Sequence, residues 1–444
     1  MTNAVGIRRE DMRQWERRVP LIPQDACKLA QNHAIEIVIQ SSPKRVFRDE
    51  EYRDAGITVS NNLSSCSVIV GIKEIPTEAF EKGKTYVFFS HTIKGQSYNM
   101  PMLRRMLELG CTLIDYEKVT DDNGRRLIFF GNYAGLAGMI ETLWALGRRL
   151  SWEGIRTPLD AIDRALSYAN LAEAKDAIRQ VGKRISEGGL PEPIVPLVVG
   201  FAGYGNVSRG AQEILDLLPV REIAAENLPA LTKAEIPSKH AVYKVVFKEE
   251  NMAEPIASGR PFDLQEYYDH PERYRGIFER HIPYLDVLVN SIYWEPAYPR
   301  LLTKQLIKKM VQEDRLHLRV IGDISCDVEG AIECTIKATE PDNPVYVYDP
   351  ISDRAIDGIE GNGPVVMAVE ILPSELPREA SAYFSGILKD YVPAIARADF
   401  SRDLESCGLP APIGRAVIAY RGELTPDYRY IEKFLQANDA SNTA

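Results

Sequence analysis

The sequence predicts an α/β protein made of two units, each with a mostly parallel sheet, one inserted into the other. Three observations predict it. Short β-rich runs alternate with helix-like stretches along most of the chain. The apolar run Val198–Ala202 ends in Gly203-Tyr204-Gly205-Asn206-Val207-Ser208, and a helical pattern follows at once. About 200 residues precede that turn, so a body of domain size comes first. The expected architecture is two Rossmann-like domains. The nucleotide domain, 134–375, lies between two halves of the other, 1–133 and 376–444.

Before residue 135 the strand candidates are Glu36–Gln40, Ser67–Ile72, Thr85–Ser90, Thr112–Tyr116 and Leu127–Phe130. Met102–Leu109 reads as a helix between two of them. Gly131–Leu150 reads as one long helix whose small residues, Ala134, Gly135, Ala137 and Gly138, permit close packing on a neighbour. A charged helical stretch covers Leu159–Ser186, and Gly188–Pro193 reads as a turn. The second set of strands is Val195–Phe201, Val220–Ala224, Ala241–Phe247, Leu285–Ser291, Leu318–Asp323 and Val345–Tyr348. Helices return at Glu379–Arg397 and Tyr428–Gln436, and Asn438–Ala444 is expected to be disordered.

Composition excludes several classes. With 444 residues, 45% hydrophobic and 26% charged, the chain is globular, of two or three domains. A net charge of −10 argues against a nucleic-acid surface. The apolar runs are strand-sized, so no membrane span is expected. The six cysteines are scattered without a CxxC pair. They read as reduced thiols in a cytoplasmic or mitochondrial-matrix compartment, with no metal site.

The chemistry is expected where polar residues follow apolar strands, because ligands of open α/β sheets sit beyond the strands' carboxyl ends. Lys73 and Glu74, His91, Glu117 and Asp323 occupy such places. Lysine with a lowered pKa and histidine are suited to proton transfer. Against this stand a solvated Lys73 and a core histidine at 91. The pairs Arg17-Arg18 and Arg125-Arg126 are the candidate carboxylate readers; a surface basic pair is the plainer reading of each Arg-Arg. Trp15, Tyr293 and Trp294 read as packing residues. In the glycine turn, Gly203 allows the tight bend and Gly205 lets the backbone approach a pyrophosphate. Ser208 stands where a third glycine or alanine is usual. The ribose-reading acid should lie about 20 residues on, at the end of the second strand. There Glu222 and Glu226 flank Ala224 and Ala225, with Arg221 nearby, so NAD(H) versus NADP(H) stays open.

Several segments together resemble the lysine–ketoglutarate reductase half of α-aminoadipic semialdehyde synthase. They are Arg8–Pro23, Phe88–Lys94, Leu113–Glu117, Gly203–Ser208, Asn290–Glu295, Cys326–Gly330, Glu360–Gly363 and Phe384–Ala394. More distantly the chain is similar to fungal lysine-forming saccharopine dehydrogenase and to alanine dehydrogenase, the latter through Leu372–Ser381. The resemblance implies condensation of L-lysine with 2-oxoglutarate and reduction of the imine to L-saccharopine. It implies Lys73 and His91 as the acid–base pair, and Arg18, Glu74, Glu117, Arg126 and Asp323 as substrate contacts. Around the cofactor it implies Gly203, Gly205, Asn206, Val207, Ser208, Glu222, Ala224, Asn290 and Leu372. NADP(H) is the expected cofactor and NAD(H) the alternative, since the ribose-side acid of the fungal enzymes has no clear counterpart at Ala224. No nucleic-acid or membrane partner is expected; a homo-oligomer is left open. A cleft that closes on ligand is expected, and a chain without the saccharopine-cleaving half, whether stand-alone or excised. An alanine-dehydrogenase-like enzyme and a catalytically silent NAD(P) or lysine sensor are the competing readings.

Overall fold

A computed structural model of the chain describes residues 4–231 and 237–436. The expected disorder at Asn438–Ala444 lies outside the described residues. The chain divides into two compact units, 1–130 with 377–444, and 131–376.

Unit one holds an eight-stranded sheet. From edge to edge its order is Glu423–Leu424, Val417–Tyr420, Thr112–Asp115, Thr85–Phe88, Val68–Val70, Val5–Ile7, Ile37–Gln40 and Thr58–Ser60. The last six are mutually parallel, and the Val417–Tyr420 hairpin adds an antiparallel edge. The central strands are buried on both faces, so they read as unbroken apolar runs. Val5–Ile7 escapes sequence reading because it is three residues long with a glycine in the middle. A methyl on Gly6 would lie 3.0 Å from Ile69 Cδ1, so the Ile69 side chain would have to give way to any larger residue there. Leu127–Phe130, expected as a strand, is irregular. Its apolar residues pack as side chains instead: Phe130 stacks on Phe384 with ring centres 4.6 Å apart.

Unit two has a second eight-stranded sheet. Its order is Arg354–Asp357, Val345–Asp349, Val365–Met367, Val320–Asp323, Val287–Asn290, Leu197–Ala202, Val242–Phe247 and Val220–Glu222. The first two strands are antiparallel additions; the other six run parallel. The long helix is Gly131–Trp152. The stretch expected as helix over Leu159–Ser186 is instead two short turns followed by a helix at Leu171–Gly188. The helix starts late because Asn170 caps it, its side chain accepting from the amide of Glu173. The C-terminal helical stretch of unit one is likewise divided, into Pro377–Leu388 and Val392–Arg397. Pro393 fits only the first turn of the second piece. Tyr428–Gln436 begins with a 3₁₀ segment, Pro426–Ile431, and becomes helical only over 432–436.

Candidate functional site

Four neighbouring parallel strands of unit one end together: Val5–Ile7, Val68–Val70, Thr85–Phe88 and Thr112–Asp115. The residues just past them therefore share one edge of the sheet. Glu10 organises this edge. Its Oε1 accepts from the amide of Ile72 at 2.7 Å, and its Oε2 from that of Lys73 at 3.1 Å. Burial, with Glu16 nearby, pushes the Glu10 carboxyl up to about 7 against the pull of Arg8. Burial also holds the Lys73 ammonium below its ordinary pKa; Arg18 and Arg13 act the same way, while Glu74 opposes them.

Glu74 Oε1 lies 2.5 Å from His91 Nδ1. Burial works against a charge on Glu74, but the bond to His91 and the Lys73 charge outweigh it and bring the carboxyl down to about 2. This anion orients the imidazole and leaves its other nitrogen for chemistry. His91 has φ of 48°, unusual for a residue with a side chain. The conformation is held from both sides. Asn99 donates to the His91 carbonyl at 3.3 Å, and Ser90 donates through both amide and hydroxyl to Asp115.

The arginines differ. Arg18 is buried, with Nε and Nη2 donating to Glu16 at 2.8 and 2.5 Å and its guanidinium 4.1 Å from the Phe130 ring centre. Two of the five N–H donors of its fork are engaged by Glu16. Arg126 is exposed; it donates to Glu117 at 3.2 Å and lies 5.7 Å over the Phe89 ring. The same ring stacks beside His91. Arg18, Lys73, Glu74, His91, Glu117 and Arg126 are thus linked into one neighbourhood. Sequence reading missed Glu10, Glu16 and Asp115, which hold it together. Glu10 would have shown as a strand-end acid had Val5–Ile7 been recognised.

Unit two carries the glycine turn. Leu197–Ala202 ends at Gly203, whose φ of 95° suits glycine and where a methyl would come within 2.9 Å of Ile292. Gly205 has open space around it and precedes the helix Asn206–Leu215. The first amides of that helix, at Asn206, Val207 and Ser208, have no partner within it and suit an anion. The Ser208 hydroxyl turns inward and accepts from Gln212 at 2.9 Å. Methyls at Gly135 or Gly210 would run into the carbonyl oxygens of Val207 or Asn132. The long helix therefore crosses the turn's helix in near backbone contact, which is the close packing its small residues foretold. These features fit a dinucleotide pyrophosphate.

Asn290 ends the next strand, donating to Asp323 Oδ1 at 2.9 Å. Asp323 also accepts from Thr335 at 2.5 Å and the amide of Cys326 at 3.2 Å. It is buried, and burial raises its carboxyl to about 6 against these bonds. Its oxygens are engaged within unit two. Leu372 is buried and faces Gly138 of the long helix.

The expected ribose end is displaced. The strand beside Leu197–Ala202 is Val242–Phe247, and Val220–Glu222 lies beyond it at the sheet edge. Glu222 pairs there with Lys244 at 3.1 Å. Glu222 and Ala224 accordingly do not follow the strand that neighbours the turn. A cavity of about 520 Å³ opens beside Gly203 and Gly205, lined among others by Tyr204, Glu249, Tyr268 and Tyr293. Tyr293, read from sequence as a packing residue, is 68% exposed. Among the described residues no group of His, Cys, Asp and Glu side chains could hold a metal, and no helix is long and apolar enough to cross a membrane.

Residues 6–137 match the family model "Alanine dehydrogenase/PNT, N-terminal domain". The chain is 40% identical to α-aminoadipic semialdehyde synthase of Arabidopsis thaliana, over 98% of its own length and 42% of the relative's. It spans about half the length of the curated synthases it matches. It is 30% identical to saccharopine dehydrogenase [NAD(+), L-lysine-forming] of Yarrowia lipolytica, over 86% of this chain and 89% of that one. A solved L-alanine dehydrogenase superposes with a TM-score of 0.62 at 18% identity, covering 97% of this chain and 99% of the other.

Proposed function

The chain belongs to the family of L-lysine-forming saccharopine dehydrogenases, and from that premise we propose that it joins L-lysine to 2-oxoglutarate and reduces the product to L-saccharopine. The observation that carries this reading is the Lys73–Glu74–His91 arrangement at the strand ends of unit one. A bound nicotinamide dinucleotide supplies the hydride. The Gly203 turn and the helix start at Asn206 hold its pyrophosphate.

The protein's own part is positioning and proton movement. The ε-amine attacks the keto carbon, and water must then leave. Lys73, its ammonium destabilised by burial, takes or returns a proton at this stage. His91, aligned by Glu74, serves the second proton. Arg126, exposed and held by Glu117, offers its remaining donors to a substrate carboxylate. Arg18 gives positive potential and its uncommitted donors beside Lys73. Glu117 draws the amino group of lysine. Asp323, enclosed by its own hydrogen bonds, acts by fixing the turn to Cys326 and the position of Asn290.

The test is loss of reduced-nicotinamide absorbance in the purified chain. Oxidation should require lysine and 2-oxoglutarate together. Oxidation with pyruvate and ammonia instead would replace this reading with an alanine-dehydrogenase one.

A further inference from the structure

We propose that unit one carries a second ligand site, a small cavity at Arg8 that takes the carboxylate of a short aliphatic acid. Arg18, Lys73, Glu74, His91, Glu117 and Arg126 are all absent from its lining.

The strand Val5–Ile7 sets the position. Successive side chains of a strand point to opposite faces of the sheet. Val5 and Ile7 pack into the core that holds Val70, Val87 and Phe89. The Phe89 ring is the one that His91 stacks beside and Arg126 covers. Gly6 faces the other way, toward Ile69, and Arg8 follows it by alternation. Ile69 and Tyr86 are partners on neighbouring strands, and with Arg8 they line a cavity of about 290 Å³ on that second face. Gln40 ends the strand on the far side of Val5–Ile7 and ties the rim together. Its Oε1 accepts from the Arg9 amide at 3.1 Å, and its Nε2 donates to the Asn61 carbonyl at 3.3 Å.

Arg8 identifies the ligand. Its side chain is only 6% exposed. Nη2 donates to both oxygens of Asp11, at 2.8 and 2.9 Å. Nη1 is buried and, among the described residues, has no hydrogen-bond partner. A buried charged donor left unpaired is costly, and a carboxylate pairs with a guanidinium through strong, directional bonds. The acids of the wall are already committed, Asp11 to Arg8 and Glu81 to Lys84 at 2.8 Å. The wall therefore makes no strong demand for an amino group on the ligand. Arg9 is exposed, with its Nε 3.9 Å from Asp11, and adds positive charge at the mouth. Leu63, Ile69, Ala79 and the ring of Tyr86 give the cavity an apolar floor. The Tyr86 hydroxyl accepts from the Glu81 amide at 2.7 Å. A volume of about 290 Å³ lies just under the roughly 300 Å³ at which small-molecule pockets begin, so the aliphatic tail is short.

The experiment titrates the full chain calorimetrically with 4-methylpentanoate, L-leucine, 4-methyl-2-oxopentanoate and 3-methylbutylamine. L-lysine and 2-oxoglutarate are present in excess, and no dinucleotide is added. The carboxylates should bind and the amine should not; the order of leucine and the oxo acid tells which kind of acid the site prefers. Arg8→Met should weaken the carboxylates by at least about tenfold, the worth of one charged hydrogen bond. Ala79→Trp, a change at an exposed position that fills the cavity, should abolish binding without moving the unfolding midpoint. Arg126→Ala should leave binding as it is. No carboxylate binding to the wild type overturns the proposal, as does equal binding of the amine or of inorganic phosphate. Binding lost in Arg126→Ala and kept in Ala79→Trp would put the carboxylate in the site around Lys73 and overturn it too. None of these measurements uses turnover, so the reaction proposed above stands or falls separately.

Discussion

At the scale of single residues, the candidate site is a set of charges kept unequal by burial. Glu74 is an anion at any physiological pH, while Lys73 beside it is held toward its neutral form. Replacing Lys73 by methionine should lower turnover by about 100- to 10,000-fold. Dinucleotide affinity, followed by fluorescence titration, should stay unchanged, because the glycine turn belongs to the other unit. Glu74→Gln should move the Lys73 ionisation to lower pH, since it removes the charge that most favours the ammonium. The pH profile of kcat/KM reads this directly, and an unmoved profile would detach Lys73 from that ionisation. Lys73, Glu74, His91 and Glu117 were legible in sequence because each follows an apolar run. Glu10 and Glu16 were not. Their meaning lies in what they touch, the amides of residues 72 and 73 and the fork of Arg18, and no spacing rule encodes that.

At the scale of elements, two glycines of similar appearance make opposite demands. Gly135 sits in the crossing of the long helix with the helix after the dinucleotide turn, against the Val207 carbonyl. Gly135→Ala should force that crossing apart and cost about 1–3 kcal/mol, read as a lower midpoint in chemical denaturation. Gly205 has no neighbour within 4 Å. Gly205→Ala should fold as the wild type does and weaken dinucleotide binding, because its methyl would stand where the pyrophosphate approaches. Most strands and the long helix were legible, since buried parallel strands are continuous apolar runs. The strands that escaped are short, as at Val5–Ile7, or lie at antiparallel edges, as at Arg354–Asp357 and Val417–Tyr420. Their residues give little periodicity, and neighbours from distant sequence decide their state.

At the scale of the whole molecule, buried carboxyls set the response to pH. Burial raises Glu10 and Asp286 to about 7, and Asp115 and Asp323 to about 6. Between the ordinary carboxyl range near 4 and these values, the folded chain holds protons that the unfolded chain has released. Stability therefore falls as pH rises through that window. The opposite contribution, from Glu74, is lost only as pH drops from 4.5 toward about 2. Calorimetry should show a lower unfolding midpoint at pH 8 than at pH 5. An unchanged or higher midpoint would mean that these carboxyls ionise normally in the folded protein.

The sheet order of unit two bears on redesign. An engineer exchanging one nicotinamide coenzyme for the other would count residues from the glycine turn and arrive at Val220–Glu226. That stretch begins on the outermost strand, and Glu222 there is tied to Lys244. Libraries built on it would sample a rim. The strand tip in the slot beside Leu197–Ala202 lies about 40 residues beyond the turn, at Lys248, Glu249 and Glu250, where the chain has doubled back.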